Sequence, residues 1–250
     1  LTLVGFNKSR SSDPARAAAG LALEGLGFGA MYLATYFAYA WYHLIIASAA
    51  LSLFLAISAA CGVMAVRQKS EALAFMGLGG GFIAPLLAST GAGSHIMLFT
   101  LYTGLDMAVL ALCVGMGWRR LPIAALMFTL GIGMTWAERY FEPASMVSTQ
   151  VFIALFTAMF SAMPLLSPLD EADGKPGMER WVMAIATPAA ALFAQWAMLA
   201  RIHADDTHYL ASALALGAWY AGLSMIPGAA SAALRAFHRA LSGAWLTTAV

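Results

Sequence analysis

Two acidic residues lie inside long apolar runs, and their side chains have the clearest capacity for chemistry in this chain. Asp106 lies in the run 96–117, with Tyr102 four residues and Thr103 three residues before it. At helical spacing these three side chains share one face. Glu24 lies in the first apolar run. Because ionisable groups in lipid are costly, we take these four as a candidate intramembrane polar site.

Asp106 has two reasonable roles. It could relay a proton or a cation, or it could form a polar clasp between helices, since interhelical hydrogen bonds are common in membrane bundles. Glu24 is expected about 8 Å from one end of its helix and Asp106 about 16 Å from the same side, counted at 1.5 Å per residue. The difference in depth makes a direct pair of the two carboxyl groups unexpected.

A glycine-rich stretch, GLGGGFIAPLLASTGAG, occupies residues 77–93. Proline removes one backbone donor and kinks a helix, and transporters use interrupted spans to line substrate sites. We therefore predict a candidate helix break at Gly79, Gly80, Gly81 and Pro85. Close packing is the alternative, because Gly77-x-x-x-Gly81 is a spacing that lets helices approach.

No other pattern indicates a reaction. The loop 201–208, RIHADDTH, holds metal-capable residue types but matches no ligand motif. No nucleophile triad, phosphate loop or metalloprotease helix is present. We therefore predict no catalytic residue, no cofactor and no metal site, which favours a protein that is not an enzyme.

The composition predicts that lipid surrounds these elements. Only 10% of the residues are charged, against about 25% in soluble domains, and 62% are hydrophobic. The net charge of +1 gives no reason to expect a nucleic-acid partner. Eight apolar runs are long enough to cross a bilayer, and a ninth begins near Leu241. They are 19–41, 44–66, 72–88, 96–117, 121–137, 145–166, 181–200 and 209–227.

The basic residues predict the orientation. If all eight runs span, eleven of the thirteen Lys and Arg residues lie on the side of the amino terminus. If 72–88 were a re-entrant loop, the division would be seven against six. The positive-inside bias favours the first arrangement. We predict an all-α polytopic transmembrane helix bundle with eight spans, the start of a ninth, and a cytoplasmic amino terminus.

The chain is expected to form a single transmembrane domain over 1–250. Residues 1–18 are predicted to form a cytoplasmic tail and residues 167–180 a polar cytoplasmic loop. The chain begins at Leu1 and ends within an apolar run. We therefore expect a part of a longer polypeptide whose other spans are partners, together with the lipid bilayer. No protein partner is predicted.

Three phrases resemble a bacterial family of predicted membrane proteins called domain of unknown function 2339. They are ALEGLGFGAMYLATYFAY at 22–39, RQKSEALAFMGLGGGFIAPLLASTGAGSH at 67–95 and FTLGIGMTWAERYFEP at 128–143. The similarity covers most of 20–166. It implies a multi-helix protein of the bacterial inner membrane, with members longer than this chain, and it supplies no catalytic residues.

A transport or channel-like role is the leading functional hypothesis, based on Asp106 and the Pro85 stretch. The alternative is a structural or assembly module of the cell envelope, favoured by the small-residue spacings. A membrane-embedded transferase is a third class, for which only the loop from His203 to His208 offers candidate residues.

Overall fold

The computed structural model describes residues 2–4, 13–88, 94–166, 177–226 and 232–248, and these ranges contain helices and no β-strand. The all-α prediction is therefore confirmed. The helices up to residue 116 are α1 (Pro14–Tyr36), a π-helical segment (Phe37–Trp41), α2 (Ala47–Gln68), α3 (Glu71–Leu87) and α4 (His95–Met116). The later helices are α5 (Leu121–Tyr140), a 3₁₀ turn (Pro143–Ser145), α6 (Met146–Leu166), α7 (Met178–Arg201), α8 (Asp206–Ser224) and α9 (Ala232–Thr248).

Backbone contacts divide the chain into two units, Leu1–Val109 and Leu110–Val250. The division falls inside α4, which begins in the first unit and ends in the second. In the first unit an apolar cluster of Ala50, Phe54, Ala84 and Ala88 joins α2 to the carboxyl end of α3. The prediction of one domain over 1–250 is not tested by this division and stays a prediction.

Six helical segments have the length and apolarity needed to cross a membrane. They are Ala15–Trp41, Ala47–Gln68, His95–Met116, Leu121–Tyr140, Pro143–Leu166 and Met178–Arg201. The helix α3 is apolar but has 17 residues, and α8 is helical without meeting the same requirement. All eight predicted runs are thus helices in the described parts of the chain, and six of them are confirmed as candidate membrane spans.

Three predicted boundaries differ from the structure. The helix α1 begins at Pro14, inside the predicted tail 1–18, because Asp13 caps it by accepting a hydrogen bond from Ala15 N at 3.0 Å. Residues 178–180 of the predicted loop form the first turn of α7, while 167–176 lie outside the described residues. The last helix begins at Ala232 rather than near Leu241, since its first half contains Arg235, His238 and Arg239, which apolarity alone does not reveal.

The tightest connection in the first unit joins α2 to α3. Lys69 takes the left-handed conformation with φ of 53°, and the Ser70 backbone N–H donates to Ala65 O at 3.0 Å, which ends α2. The Ser70 side chain then accepts from Leu73 N at 3.4 Å and begins α3. A two-residue link of this kind makes the helices antiparallel neighbours, so the glycine-rich α3 lies along α2.

Candidate functional site

The glycines of α3 lie against side chains from three other helices. A Cβ added at Gly77 would lie 3.1 Å from both Cys61 Cβ and Ser58 O of α2. One added at Gly81 would lie 2.6 Å from Ser58 Oγ and 3.1 Å from Leu105 Cδ2 of α4. These separations are shorter than ordinary side-chain contacts. The spacing Gly77-x-x-x-Gly81 therefore allows close packing on α2.

Gly80, in the same glycine run, also lies close to a side chain of a neighbouring helix. A Cβ at Gly80 would overlap the ring of Tyr32 from α1. Tyr32 in turn stacks on Phe54 of α2, with ring centroids 5.9 Å apart. The glycine run is thus the centre of the first unit, with α1, α2 and α4 around it.

Polar side chains of the neighbouring helices donate to backbone carbonyl groups of α3. The Ser58 hydroxyl donates to Gly77 O, and Cys61 Sγ donates to Leu73 O at 3.2 Å. The Tyr102 hydroxyl of α4 donates to Phe82 O at 3.0 Å. Hydrogen bonds of this kind satisfy polar groups that lipid cannot solvate. Two neighbouring helices are therefore bonded to the backbone of α3 itself.

The predicted helix break falls within a continuous helix. Gly79, Gly80, Gly81 and Pro85 all lie between Glu71 and Leu87 of α3. Pro85 has no backbone N–H, so the carbonyl of Gly81, four residues earlier, lacks its helical donor. A helix break at these residues stays a prediction.

Asp106 is completely buried on α4. It shares the inner face of this helix with Phe99, Tyr102 and Val109, all of which are less than 5% exposed. Thr103 is half-buried, and its hydroxyl donates to Phe99 O of its own helix at 2.8 Å. The predicted polar stripe is therefore divided. Tyr102 and Asp106 face inward, and Thr103 bonds along the helix.

Glu24 is also completely buried, on α1. The side-chain amide of Gln68, the last residue of α2, donates to one of its carboxyl oxygens. Gln68 was not among the predicted site residues, because it lies between the predicted apolar runs 44–66 and 72–88. An amide in the last turn of an apolar helix is the signal that could have identified it.

The second unit has a polar network that the sequence reading also missed. Gln195 of α7 donates to Gln150 Oε1 of α6 at 3.0 Å and to Ser212 Oγ of α8 at 2.7 Å. An amide inside an apolar run is the signal that could have identified it, since such side chains hydrogen-bond across membrane helices. Three helices of this unit are joined by one side chain.

A cluster of arginines lies at the amino ends of α5 and α7. Arg180 was expected in a polar loop, but it is only 2% exposed and lines a small cavity with Arg119 and Glu179. Arg120 Nε lies 3.8 Å from Glu179 Oε1. Among these four described residues, three guanidinium groups accompany one carboxylate.

The loop before α8 has a capping role in the structure. Asp205 accepts from His208 N at 3.3 Å and its carboxylate also contacts the His208 ring. The hydrogen bond from the His208 side chain is the main cause that lowers the pKa of Asp205 below its ordinary value. Within the described ranges, no three His, Cys, Asp or Glu side chains are grouped so that they could hold a metal ion.

The chain matches a family model over its whole length. The model is described as a predicted membrane protein, DUF2339, and it covers residues 1–250. No curated protein and no solved structure matches significantly. The match includes the glycine-rich helix, both buried carboxyl groups and the polar network of the second unit. This chain therefore belongs to the DUF2339 family of predicted membrane proteins.

Proposed function

We propose that this membrane protein has a transport or channel-like function in which the buried carboxyl group of Asp106 exchanges a proton or holds a cation. The observation that supports this most strongly is the complete burial of Asp106 on a helix able to cross the membrane. A carboxyl group at that position is costly, and such groups mark ion and proton pathways in membrane proteins. Glu24, buried on α1, is a second acidic position in the first unit.

The chemistry around α3 supports protons or alkali cations as the substrate class. The Gly81 carbonyl oxygen lacks its helical donor, and Leu105, the residue before Asp106, lies next to Gly81. The Ser58 hydroxyl also lies next to this glycine. Transporters use freed backbone carbonyls of interrupted helices to coordinate Na⁺ and H⁺. A hinge at Pro85 would open and close access to these oxygen atoms.

The proposed topology has eight spans. The helices α3 and α8 have 17 and 19 residues. At 1.5 Å per residue they are about 25 and 28 Å long, which is close to the thickness of the hydrocarbon core. With eight spans, eleven of the thirteen basic residues share the side of the amino terminus. This supports a cytoplasmic amino terminus in the bacterial inner membrane.

Labelling from the two sides of the membrane tests this topology. Ser70→Cys and Thr207→Cys are expected to react with an impermeant thiol reagent from opposite sides. Reaction of both from one side would contradict eight spans. That the chain is part of a longer polypeptide stays a prediction.

A flux measurement tests the proposed function. The purified protein is reconstituted into liposomes that contain dyes sensitive to pH, Na⁺ or K⁺, and gradients of H⁺, Na⁺ and K⁺ are applied in turn. We expect Asp106→Asn to reduce the flux at least tenfold, because the amide cannot exchange a proton. Asp205→Asn, a carboxyl change in the exposed loop, is the matched control and is expected to retain the flux. Equal flux through Asp106→Asn and the wild type, or no flux of any of the three ions, would contradict the proposal.

A structural or assembly role is the second candidate. It is favoured by the bonds from Ser58, Cys61 and Tyr102 to the backbone of α3, which hold this helix in one packed arrangement. Recovery of a stoichiometric envelope protein with the purified chain would support this role. A stable protein with no partner would count against it. The transferase alternative stays a prediction; of its candidate loop, Asp205 caps α8 and contacts the His208 ring.

A further inference from the structure

A groove of about 640 Å³ lies between the carboxyl end of α8 and the basic half of α9. Arg235 and Arg239 line it from α9, and Ser224, Met225 and Ile226 line it from the end of α8. The hydrogen bond from Ser242 Oγ to Gly217 O, at 2.9 Å, fixes the two helices to each other at its side. The groove is therefore formed within the second unit by two directly bonded helices.

In the hairpin formed by α8 and α9, the charged side chains that line the groove are both arginines. The sequence contains no Asp or Glu after Asp206, which is the first residue of α8. Asp206 is 18 residues before Ser224, or about 27 Å along the helix at 1.5 Å per residue. His238 is buried against Tyr220, with ring centroids 5.7 Å apart, and does not line the groove. Arg235 and Arg239 are one helical turn apart, so two guanidinium groups face one cavity.

The hydrogen-bonding groups of the groove suit a phosphate ester. Guanidinium groups bind phosphate oxygens through paired N–H donors. The Ser224 hydroxyl donates to Ala221 O at 2.7 Å, and the Ser242 hydroxyl donates to Gly217 O. Both serine oxygens can therefore act as acceptors toward a ligand, for example toward the hydroxyl groups of a polyol headgroup. A phosphate ester that also carries hydroxyl groups could accept from the guanidinium groups through its phosphate and donate to the serine oxygens through its hydroxyls.

The apolar rim indicates an amphiphile rather than a free anion. Met225 is 79% exposed and Ile226 is 41% exposed, and both lie beside the arginines. An acyl chain could cover these side chains while a phosphate lies on the guanidinium groups. From these observations we propose that the α8–α9 groove binds the phosphate of an anionic glycerophospholipid, with phosphatidylglycerol as the best-matched headgroup. This proposal is independent of any role of Asp106.

Binding of defined lipids to the purified full chain tests the proposal. Short-chain phosphatidylglycerol, short-chain phosphatidylcholine and inorganic phosphate are titrated separately into the detergent-solubilised protein. We expect phosphatidylglycerol to bind tighter than the other two. Each arginine near an anionic lipid surface contributes about a fivefold effect on binding, so Arg235→Gln with Arg239→Gln is expected to weaken it roughly thirtyfold.

Two further variants separate the site from general surface charge. The double change Arg235→Lys with Arg239→Lys keeps both charges but removes the paired N–H donors, so it is expected to weaken binding, though by less than the double glutamine variant. Arg16→Gln removes an exposed cation from the first unit and is expected to leave binding unchanged. Size-exclusion chromatography and circular dichroism check that each variant is folded.

Three results would overturn the proposal. One is equal affinity for phosphatidylglycerol and phosphatidylcholine. Another is undiminished phosphatidylglycerol binding by the folded double glutamine variant. The third is tight binding of inorganic phosphate with no preference for the lipid, which would make this a site for a free anion.

Discussion

In the first unit, glycine backbone lies directly against neighbouring helices, whereas in the second unit long polar side chains reach from one helix to the next. Gly77 and Gly81 bring α3 so close to α2 that the Ser58 hydroxyl bonds to a backbone carbonyl. In the second unit, Gln195 joins α6, α7 and α8 through side-chain partners. Membrane helices use both devices, because lipid provides no hydrophobic force between them.

This difference predicts which kind of substitution destabilises each unit. A close backbone contact has no room for an added methyl group, so the first unit should be sensitive to added volume. A side-chain network has room but depends on its hydrogen bonds, so the second unit should be sensitive to the loss of a polar group.

The largest effect is expected at Gly77. Gly77→Val places a branched side chain against Cys61 and Ser58, and overpacking of this kind costs about 2–3 kcal/mol. Gly104→Val is the matched control, since an added Cβ there meets no atom within 4 Å. The free energy of unfolding is measured by denaturant titration in mixed micelles. Equal stability of the two variants would show that the close glycine contact does not make the first unit sensitive to added volume.

A smaller effect is expected at Gln195. Gln195→Leu removes the bonds to Gln150 and Ser212 and keeps the volume, and interhelical hydrogen bonds of this type contribute about 1 kcal/mol. The same titration measures the loss. A double-mutant cycle with Gln150→Leu should show that the two changes are not additive. Additive effects would mean that the amide network does not join these helices.

The smallest effect is expected at the cap of α8, and it depends on pH. The pKa of Asp205 is lowered in the folded chain, chiefly by the hydrogen bond from the His208 side chain. Its stabilisation is therefore present above the ordinary aspartate pKa of about 3.9 and is lost as the pH falls through the lower, folded value. Asp205→Ala should lower the melting temperature at pH 7, and the difference from the wild type should shrink as the pH approaches 3.

Glu142→Gln is the control for this measurement, because Glu142 is exposed and its side chain makes no capping bond. Its melting temperature should follow that of the wild type. A difference between Asp205→Ala and the wild type that is constant from pH 7 to pH 3 would show that the carboxylate is not the stabilising group.

The helical architecture could be predicted from the sequence because apolarity and helix length are local properties. All eight runs are helical where the structure describes them, and the gap between the runs 44–66 and 72–88 contains the two-residue link between α2 and α3. The family was recognised from the same local phrases, among them the glycine-rich one. Helix ends were harder to predict. Pro14 begins α1 through a polar cap, and α9 begins among basic residues, so neither end coincides with an apolar boundary.

The candidate site could be predicted only in part. The burial of Glu24 and Asp106 follows from their positions in apolar runs, and the structure shows both fully buried. The hydrogen bonds around the site could not be predicted from the sequence, because they join residues that are far apart in the chain. Gln68 bonds to Glu24 across 44 residues, and Tyr102 bonds to the Phe82 carbonyl across 20 residues. Such contacts depend on how helices rotate against each other, which periodicity in one apolar helix does not determine.

The most direct test of the central claim is whether the Asp106 carboxyl group exchanges protons with water. A hydrophobic carbodiimide reacts only with protonated carboxyl groups, and mass spectrometry locates the adduct. The account predicts labelling at Asp106 that decreases as the pH rises, and none in Asp106→Asn. Labelling of Asp106 that does not change with pH, or no labelling at any pH, would contradict a proton or cation pathway and leave the carboxyl group as a packing element.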